Sequence, residues 1–140
     1  MDSFTIGQVA TLVRTISEAD VMTFATLTGD HNPVHVDTDA AAASSFGERI
    51  VHGMLTASLL STVLAMQLPG PGAIYLGQTL RFLRPVKLGD TVTAQVEITA
   101  IDLAKRRMTL ATTIRNERGK TVVDGEASVQ LTGSGTEDCS

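Results

Sequence analysis

An acidic residue and a histidine stand five positions apart in residues 28–37, which read TGDHNPVHVD. Asn32 and Pro33 lie between them and favour a turn, because the residue before a proline is pushed away from helical backbone angles. A turn here can bring Asp30 and His35 toward each other. A carboxylate beside an imidazole can hold a water molecule and take or give a proton near neutral pH. The spacing therefore indicates proton-transfer chemistry on a bound water.

Other interpretations of this segment stay open. Asp30 can cap the free amides of the turn, and His35 can be a loop histidine with satisfied hydrogen bonds. Four side chains in and near the segment are potential metal ligands: His31, His35, Asp37 and His52. None of them forms a His-x-x-x-His pair within a predicted helix, so a metal site is the less favoured hypothesis and no metal is expected.

A second candidate position lies at residues 50–54, IVHGM, where a helix is predicted to begin. The first turn of a helix has free N–H groups and a partial positive charge. Gly53 has no side chain to block approach, so its N–H can bind a carbonyl oxygen. If that oxygen becomes enolate-like in a transition state, such a donor contributes about 2.7–4 kcal/mol. The alternative is that Gly53 merely permits a tight entry into the helix.

Nucleophilic catalysis is disfavoured by the positions of the serines and the cysteine. Ser58 and Ser61 lie inside the predicted helix without a nucleophile elbow. Cys139 is the only cysteine, which excludes intramolecular disulfides and thiolate zinc sites. The chemistry is therefore expected to rest on Asp30, His35 and the Gly53 N–H.

The first half of the chain is predicted to be mainly helical. Residues 8–16 can form a strand, and Ser17 is then expected to cap a helix, with Asp20 completing a capping box. Gly29 ends this helix. Its apolar stripe comprises Val21, Phe24, Ala25 and Leu27. Residues 38–46 predict a short alanine-rich helix.

Residues 53–67 contain no charged side chain, and apolar residues lie all round the predicted helix. Such a helix is expected to be buried on most sides. It is too short and too often interrupted by serine and threonine to span a membrane, which needs about 20 apolar residues. We therefore expect a soluble helix that is wrapped by the strands following it.

The second half is predicted to be a four-stranded antiparallel meander over residues 73–132, beginning with a long strand at 74–86. Strict alternation over residues 91–100 indicates a half-buried strand. Its inward-facing residues are Val92, Ala94, Val96, Ile98 and Ala100. Gly119 is expected at a left-handed position in the last hairpin turn. A long buried helix wrapped by a curved antiparallel sheet is the α+β hot-dog fold, whose open sheet edges favour dimers.

Length and composition limit the remaining possibilities. The 140 residues suit one domain, with residues 133–140 expected to form a flexible polar tail after a domain of residues 1–132. A net charge of −4 and only 4% aromatic residues disfavour nucleic-acid binding. The N-terminal residues lack the features of a signal peptide, and a cytoplasmic location without membrane attachment is expected.

Residues 29–35, GDHNPVH, resemble the G-D-x-N-P-x-H signature of the MaoC-like, (R)-specific enoyl-CoA hydratases. Residues 51–54, VHGM, are similar to the second conserved block of that family. Residues 74–78 and 84–86, followed by Gly89 and Asp90, are similar to its strand segments. The similarity runs from about Thr11 to Leu131, which is nearly the whole chain.

The resemblance implies a specific reaction. Asp30 and His35 would hold and activate water, and the Gly53 N–H would bind the thioester oxygen. Water would add syn to a trans-2-enoyl-CoA and give the (R)-3-hydroxyacyl product, with CoA as part of the substrate and no further cofactor. The resemblance also implies a homodimer, with the acyl tunnel near the subunit interface.

Substrate contacts are assigned to a wider set of residues. Ala57 and Ser61 follow Gly53 at i+4 and i+8, and their small side chains leave a slot for an acyl chain. Asn32 and Leu64 complete the predicted acyl and thioester contacts. Nine of the eleven basic residues follow residue 72, so Arg81, Arg84 and Lys87 are candidates for binding the CoA phosphates.

Three rival functions differ in their use of Asp30 and His35. A thioesterase of the same fold generally carries its acid on the central helix, but residues 53–66 contain no Asp or Glu. A non-catalytic acyl-thioester-binding subunit would not need both Asp30 and His35. A dehydratase acting on acyl-carrier-protein thioesters would use the same residues in the reverse direction, so it stays open beside the hydratase.

Overall fold

The computed structural model describes residues 3–132, and the predicted tail at 133–140 lies outside them. The described strands are β1 Val9–Thr15, β2 Ala73–Phe82, β3 Thr91–Asp102, β4 Arg107–Arg115 and β5 Thr121–Leu131. The helices are α1 Glu18–Thr28, α2 Pro33–Val36, α3 Thr38–Ala42 and α4 Gly53–Met66. No helix in residues 3–132 is both long enough and apolar enough to cross a membrane.

The five strands form one antiparallel sheet in the order β1-β3-β4-β5-β2. The predicted four-stranded meander is therefore wrong at its first strand, because β2 pairs with β5 and not with β3. The connection between β2 and β3 is anchored elsewhere: the Val86 carbonyl accepts from the Val51 N–H, and Asp90 and Gly89 bond to Ile16. These contacts start β3 beside β1, at the opposite side of the sheet from β2.

Strand β2 also ends earlier than predicted, at Phe82 and not at residue 86. The N–H groups of Leu83 and Arg84 both reach the Val122 carbonyl, so the regular ladder stops there. Pro85 has no N–H with which to resume it. The chain then turns toward α4 and contributes to the wall of a cavity described below.

The alternation in β3 is confirmed for its first eight residues, in which Val92, Ala94, Val96 and Ile98 are buried. Ala100 is exposed, contrary to the prediction that it faces the core. The register of β3 against β4 shifts between Ile98 and Ala100, as in a β-bulge. One extra residue in β3 moves each following side chain to the opposite face of the sheet, so Ile101 packs against the core.

The ends of α1 follow the sequence prediction closely. Ser17 Oγ accepts from the Asp20 N–H, the Ser17 N–H donates to Asp20, and Gly29 closes the helix at φ 84°. Val21 and Ala25 are buried, but Leu27 is 81% exposed, so its place in the apolar stripe is wrong. Periodicity alone did not limit how far along the helix the core extends.

Helix α3 is shorter than the predicted 38–46. It begins where Asp37 Oδ1 accepts from the N–H groups of Asp39 and Ala40. It ends where the Ser44 hydroxyl donates to the Ala41 carbonyl at 2.6 Å and accepts from the Phe46 N–H. A serine hydroxyl that bonds to nearby backbone in this way competes with the helical hydrogen bonds.

Helix α4 lies against strands β1 to β4 and buries one side in the core. Its buried residues are Thr56, Ala57, Leu59, Leu60, Val63 and Leu64. The opposite side is uncovered, with Met54 58% exposed and Met66 66% exposed. The prediction of burial on most sides therefore holds for only part of the helix within this chain. The α+β hot-dog fold itself is confirmed.

Candidate active site

The loop between α1 and α2 is built by hydrogen bonds among its own residues. Asp30 Oδ1 accepts from the Asn32 N–H at 3.2 Å, and Asn32 Oδ1 accepts from the Val34 N–H at 3.4 Å. Asn32 is thus the N-cap of α2, and Pro33 occupies the first helical turn, where a missing N–H costs nothing. The Asp30 carboxylate thus caps a free amide of the turn, as one of the sequence interpretations expects. This capping role does not exclude a catalytic role for the same side chain.

His35 lies in α2 and is held by the segment that leads into α4. Its Nδ1 is 2.8 Å from the Ile50 carbonyl oxygen. Because a carbonyl oxygen only accepts, Nδ1 carries the proton in this bond, and Nε2 is left with a lone pair. That free nitrogen is able to take a proton from a bound water.

Three side chains converge at this point. A carboxylate oxygen of Asp30 and one ring nitrogen each of His35 and His52 lie within 4.8 Å of one another. Asp30 is exposed, His35 is half-buried and His52 is fully buried. The predicted approach of Asp30 to His35 is therefore present in the structure. His52, which the sequence offers as a potential metal ligand and as part of the VHGM block, joins them from the N-cap of α4.

The ligand atoms of the cluster lie as close together as those of a metal site, but its two histidine rings lie face to face. The rings of His35 and His52 are stacked, with centroids 4.1 Å apart and planes 29° apart. Imidazole lone pairs lie in the ring plane, so stacked rings direct them side by side and not toward one ion. Asp37 is used to cap α3, and neither it nor His31 belongs to the cluster formed within residues 3–132.

Gly53 is the first residue of α4, and the hydrogen bonds found within residues 3–132 leave its N–H without an acceptor. A Cβ at this position would lie 2.8 Å from Cε1 and 2.9 Å from Cδ1 of Phe82. Real Cβ atoms do not approach other heavy atoms so closely. The glycine therefore lets the Phe82 ring, which is 51% exposed, lie against the start of α4, and a larger residue here would have to displace that ring.

A cavity of about 430 Å³ opens beside this N–H and His35. Its wall is mainly apolar and is formed by Phe46, Ile50, Val51, Phe82, Leu83, Pro85, Val86 and Val123, with Thr56 and Arg84 as further polar residues. A mostly apolar pocket with a few convergent polar groups is the usual form of a small-molecule site. We call it the His35 cavity.

The predicted acyl slot lies in a different cavity. Ala57 and Ser61 line a second space of about 400 Å³, together with Met54, Tyr75 and Gln78. Leu64 is 2% exposed and belongs to the hydrophobic core. Of the residues chosen for acyl contact, Ala57 and Ser61 thus line an open space and Leu64 does not.

The three candidates for the CoA phosphates are placed differently. Arg84 lines the His35 cavity and donates to the Thr121 carbonyl at 2.6 Å. Arg81 is bound in a bidentate pair to Asp124, at 2.9 and 2.8 Å, and this carboxylate raises the pKa of the guanidinium further. Lys87 pairs with Glu48 at 3.1 Å. Of the three candidates, Arg84 is the one that lines the His35 cavity.

Arg49 is not among the predicted site residues, yet its side chain contacts the backbone of His35. Its Nε donates to the His35 carbonyl at 2.8 Å, and its Nη1 pairs with Glu18 at 3.1 Å. The side chain is only 12% exposed. A signal was present in the sequence, because Arg49 is one of only two basic residues before residue 73.

Two buried polar atoms have no hydrogen-bond partner in the part of the chain that the structure describes. They are Nδ1 of His52 and the hydroxyl of Thr56, four residues apart at the start of α4. Side chains four apart lie on the same face of a helix. Because Thr56 also lines the His35 cavity, this part of the wall can offer polar groups to a ligand or a water.

Comparison with known proteins agrees with the motifs. The model of the MaoC-like domain family matches residues 5–122. The (R)-specific enoyl-CoA hydratase of Aeromonas caviae is 50% identical over 129 residues, which cover 92% of this chain and 96% of that protein. The enzyme of the same name from Rhodospirillum rubrum is 49% identical, over 92% of this chain and 89% of the relative.

The solved structure of an (R)-hydratase from A. caviae involved in PHA biosynthesis is similar throughout. It superimposes with a TM-score of 0.91 at 49% identity and covers 94% of this chain and 99% of that one. The family match, these identities and this structural similarity extend across the loop of Asp30 and His35 and the start of α4. This chain therefore belongs to the MaoC-like domain family.

Proposed function

We propose that this protein adds water to the double bond of trans-2-enoyl-CoA thioesters and gives (R)-3-hydroxyacyl-CoA. The observation that carries the proposal is the convergence of Asp30 and His35 beside the cavity onto which the Gly53 N–H opens. A carboxylate, an imidazole with a free nitrogen and an unpaired N–H are the groups that this hydration requires. Relatives named for the same reaction, at 49–50% identity, support the choice.

The thioester oxygen binds to the Gly53 N–H. When water attacks C3, the electrons of the double bond move through C2 and C1 toward this oxygen, which becomes enolate-like. The Gly53 N–H is fixed at the start of α4, where the helix dipole also favours negative charge. The donor is in place before the charge develops and therefore stabilises the transition state more than the ground state.

Asp30 and His35 handle the protons. They hold the attacking water, take one of its protons as its oxygen bonds to C3, and return one proton to C2. The bare Nε2 of His35 and the Asp30 carboxylate are both acceptors before the reaction, and the pair shares one proton during it. Because both groups lie on one side of the substrate, hydroxyl and proton arrive on the same face, which is syn addition.

The remaining substrate contacts extend from this centre. The Asn32 side-chain oxygen caps α2, and its amide NH2, which has no acceptor within residues 3–132, is proposed to donate to the thioester. Arg84, which lines the His35 cavity, is proposed to bind a CoA phosphate. The second cavity, lined by Ala57 and Ser61, is proposed to take longer acyl chains, and Leu64 packs in the core. Arg81 and Lys87 take secondary phosphate contacts at most, because each already has an acidic partner.

The proposed reaction uses no metal and no redox cofactor, since base, acid and oxyanion donor are all supplied by the chain. CoA enters only as part of the substrate. Dialysis against EDTA is expected to leave the hydration rate unchanged. A rate that falls and is restored by one added divalent ion would contradict this part of the proposal.

The functional form is proposed to be a homodimer. The uncovered side of α4 continues onto β2, where Tyr75 is 41% and Leu76 46% exposed beside Met54. An apolar face of this kind is usually covered by a partner. Met54→Lys is expected to yield monomers in sedimentation, whereas Thr11→Lys on β1 is expected to remain dimeric. Monomeric wild-type protein would overturn this assignment.

The decisive experiment is hydration of trans-2-butenoyl-CoA by the purified protein, followed by the loss of enoyl absorbance. We expect turnover, an (R) product, and loss of activity in Asp30→Asn, which keeps the shape of the side chain but not its charge. His31→Gln, in the same loop but outside the cluster, is the matched control and is expected to be fully active. Activity only on acyl-carrier-protein thioesters would identify a dehydratase, and no activity on either carrier would favour a binding subunit.

A further inference from the structure

We infer that His52 is a positioning residue that holds Asp30, His35 and the Gly53 N–H in one arrangement. The inference rests on the proposed function, because it concerns the same three groups. His52 is 2% exposed, although it is a polar residue. Burial of a histidine is costly unless specific contacts compensate it, and here the contacts involve Nε2 and the ring faces, since Nδ1 has no partner within residues 3–132.

The first contact is with the Asp30 loop. Nε2 of His52 lies 3.0 Å from the Asp30 carbonyl oxygen, across 22 residues of chain. A carbonyl only accepts, so Nε2 carries the proton and the ring is in a single tautomer. This bond ties the backbone of the catalytic loop to the start of α4.

The second contact is with the His35 ring. The two imidazoles are stacked at 4.1 Å, and Phe24 packs against His52 from another direction at 4.7 Å and 52°. His35 is thus held at its edge by the Ile50 carbonyl and on its face by His52. Two restraints of different direction fix where its free Nε2 points.

The third link is covalent. His52 is the N-cap of α4, with φ −56° and ψ 130°, and its carbonyl accepts from the N–H groups of Leu55 and Thr56. Its side chain makes no capping hydrogen bond to its own helix. The residue therefore sets the backbone from which the Gly53 N–H projects, while its ring is committed to the loop of Asp30.

A shift of His52 would move all three groups relative to one another. A misplacement of about 1 Å in reacting groups can lower the rate about 10²-fold. Substrate binding depends mainly on the cavity walls and would change less. His52 is therefore expected to affect kcat far more than KM.

Two substitutions separate its contacts. His52→Gln keeps an N–H donor near the position of Nε2 and loses the ring. His52→Phe keeps a ring that fills the space between Phe24 and His35, and it leaves the Asp30 carbonyl unpaired. His31→Gln is again the control, because His31 is exposed in the same loop.

We expect His52→Phe to lower kcat about 10²-fold at nearly unchanged KM, and His52→Gln to recover at least about tenfold of that loss. Thermal unfolding of both variants identifies any that fail to fold. A folded His52→Phe with wild-type kcat would overturn the inference, and so would a folded His52→Gln that is no better than His52→Phe.

Nitrogen-15 NMR of the histidine rings tests the same inference without turnover. The chain has only three histidines, so the signals can be assigned by substitution. The wild-type protein is expected to show His52 protonated at Nε2 and His35 at Nδ1, and the His35 signals are expected to shift in His52→Phe. The opposite tautomers, or unchanged His35 signals, would overturn the positioning role even if the wild-type protein proved inactive as a hydratase.

Discussion

The candidate active site is assembled from two regions that hold their groups in different ways. In residues 29–36, short-range hydrogen bonds place Asp30 and His35. The Asn32 side-chain oxygen accepts from the Val34 N–H, and the Asn32 backbone carbonyl accepts from the His35 N–H. In residues 50–54, the backbone that presents the Gly53 N–H is held by residues far along the chain: the Val51 N–H donates to the Val86 carbonyl, and the Phe82 ring lies against Gly53. The first region organises itself, and the second is organised by the fold.

This difference explains why the two regions need each other. The loop determines its own turn but not the direction of the His35 ring, which is set by the Ile50 carbonyl and by stacking on His52. The start of α4 offers the Gly53 N–H to the thioester oxygen, but the groups proposed to take a proton from the attacking water are in the loop. Catalysis therefore requires the two regions to be in register, and substitutions should reveal which contacts maintain it.

The largest effect is expected within the self-organised loop, from removal of its two functional side chains. His35→Ala and Asp30→Asn are each expected to lower kcat/KM for butenoyl-CoA by about 10²–10⁴-fold. Because the two residues share the handling of one proton, the double variant is expected to be scarcely worse than the worse single one. Losses that add in the double variant would show that the residues work separately.

The next effect tests the region organised by the fold. Gly53→Ala keeps the N–H but places a Cβ 2.8 Å from the Phe82 ring; overpacking costs about 1–3 kcal/mol in a packed core, and the cost here is expected at the lower end because the ring is 51% exposed and can shift. We expect a lower melting temperature and a lower kcat. In the Phe82→Ala background the obstructing ring is absent, so Gly53→Ala is expected to lower the melting temperature and kcat by less than it does in the wild-type protein. Equal effects of Gly53→Ala with and without Phe82 would contradict the packing argument.

A smaller effect is expected from the cap that shapes the loop. Asn32→Ala removes the oxygen that accepts from the Val34 N–H, and loss of such a cap costs about 1 kcal/mol of stability. Asn32→Asp keeps an acceptor and should be close to wild type in the free energy of unfolding, measured in urea. If the alanine and aspartate variants are equally stable, the loop is not held by this cap.

The smallest effect concerns α1, which leads into the loop. The Ser17 N–H donates to the Asp20 carboxylate and lowers its pKa from the ordinary value of 3.8. The stabilisation by this charged form is present above pH 3.8 and is lost as the pH falls through the lowered pKa of the folded protein. Asp20→Ala is expected to cost about 0.5 kcal/mol at pH 7, and the difference should shrink in acid. A difference that does not depend on pH would contradict this assignment.

The features predicted correctly from sequence are mostly local. The capping box of Ser17 and Asp20, the left-handed Gly29 and Gly119, and the alternation of β3 each depend on residues within a few positions. The predicted approach of Asp30 to His35 has the same basis. The family was identifiable because its motif lies within one such short segment.

The wrong predictions share a different cause. The place of β2 beside β5 depends on where the connection of residues 83–90 is anchored, and the facing of Ala100 depends on a bulge against β4. The exposure of Leu27 depends on what packs nearby. None of these is encoded in the period of a single segment, because each is decided by a partner elsewhere in the chain.

The sequence by itself determined the chemical groups of the site and the local turn that brings Asp30 toward His35, because hydrogen bonds over two to five residues suffice for that. Only the tertiary structure decided that His52 is buried against both, that the Phe82 ring lies against Gly53, and that Arg84 and not Arg81 lines the cavity. These contacts join segments that are distant in the chain, and their geometry exists only once the sheet and α4 have packed together.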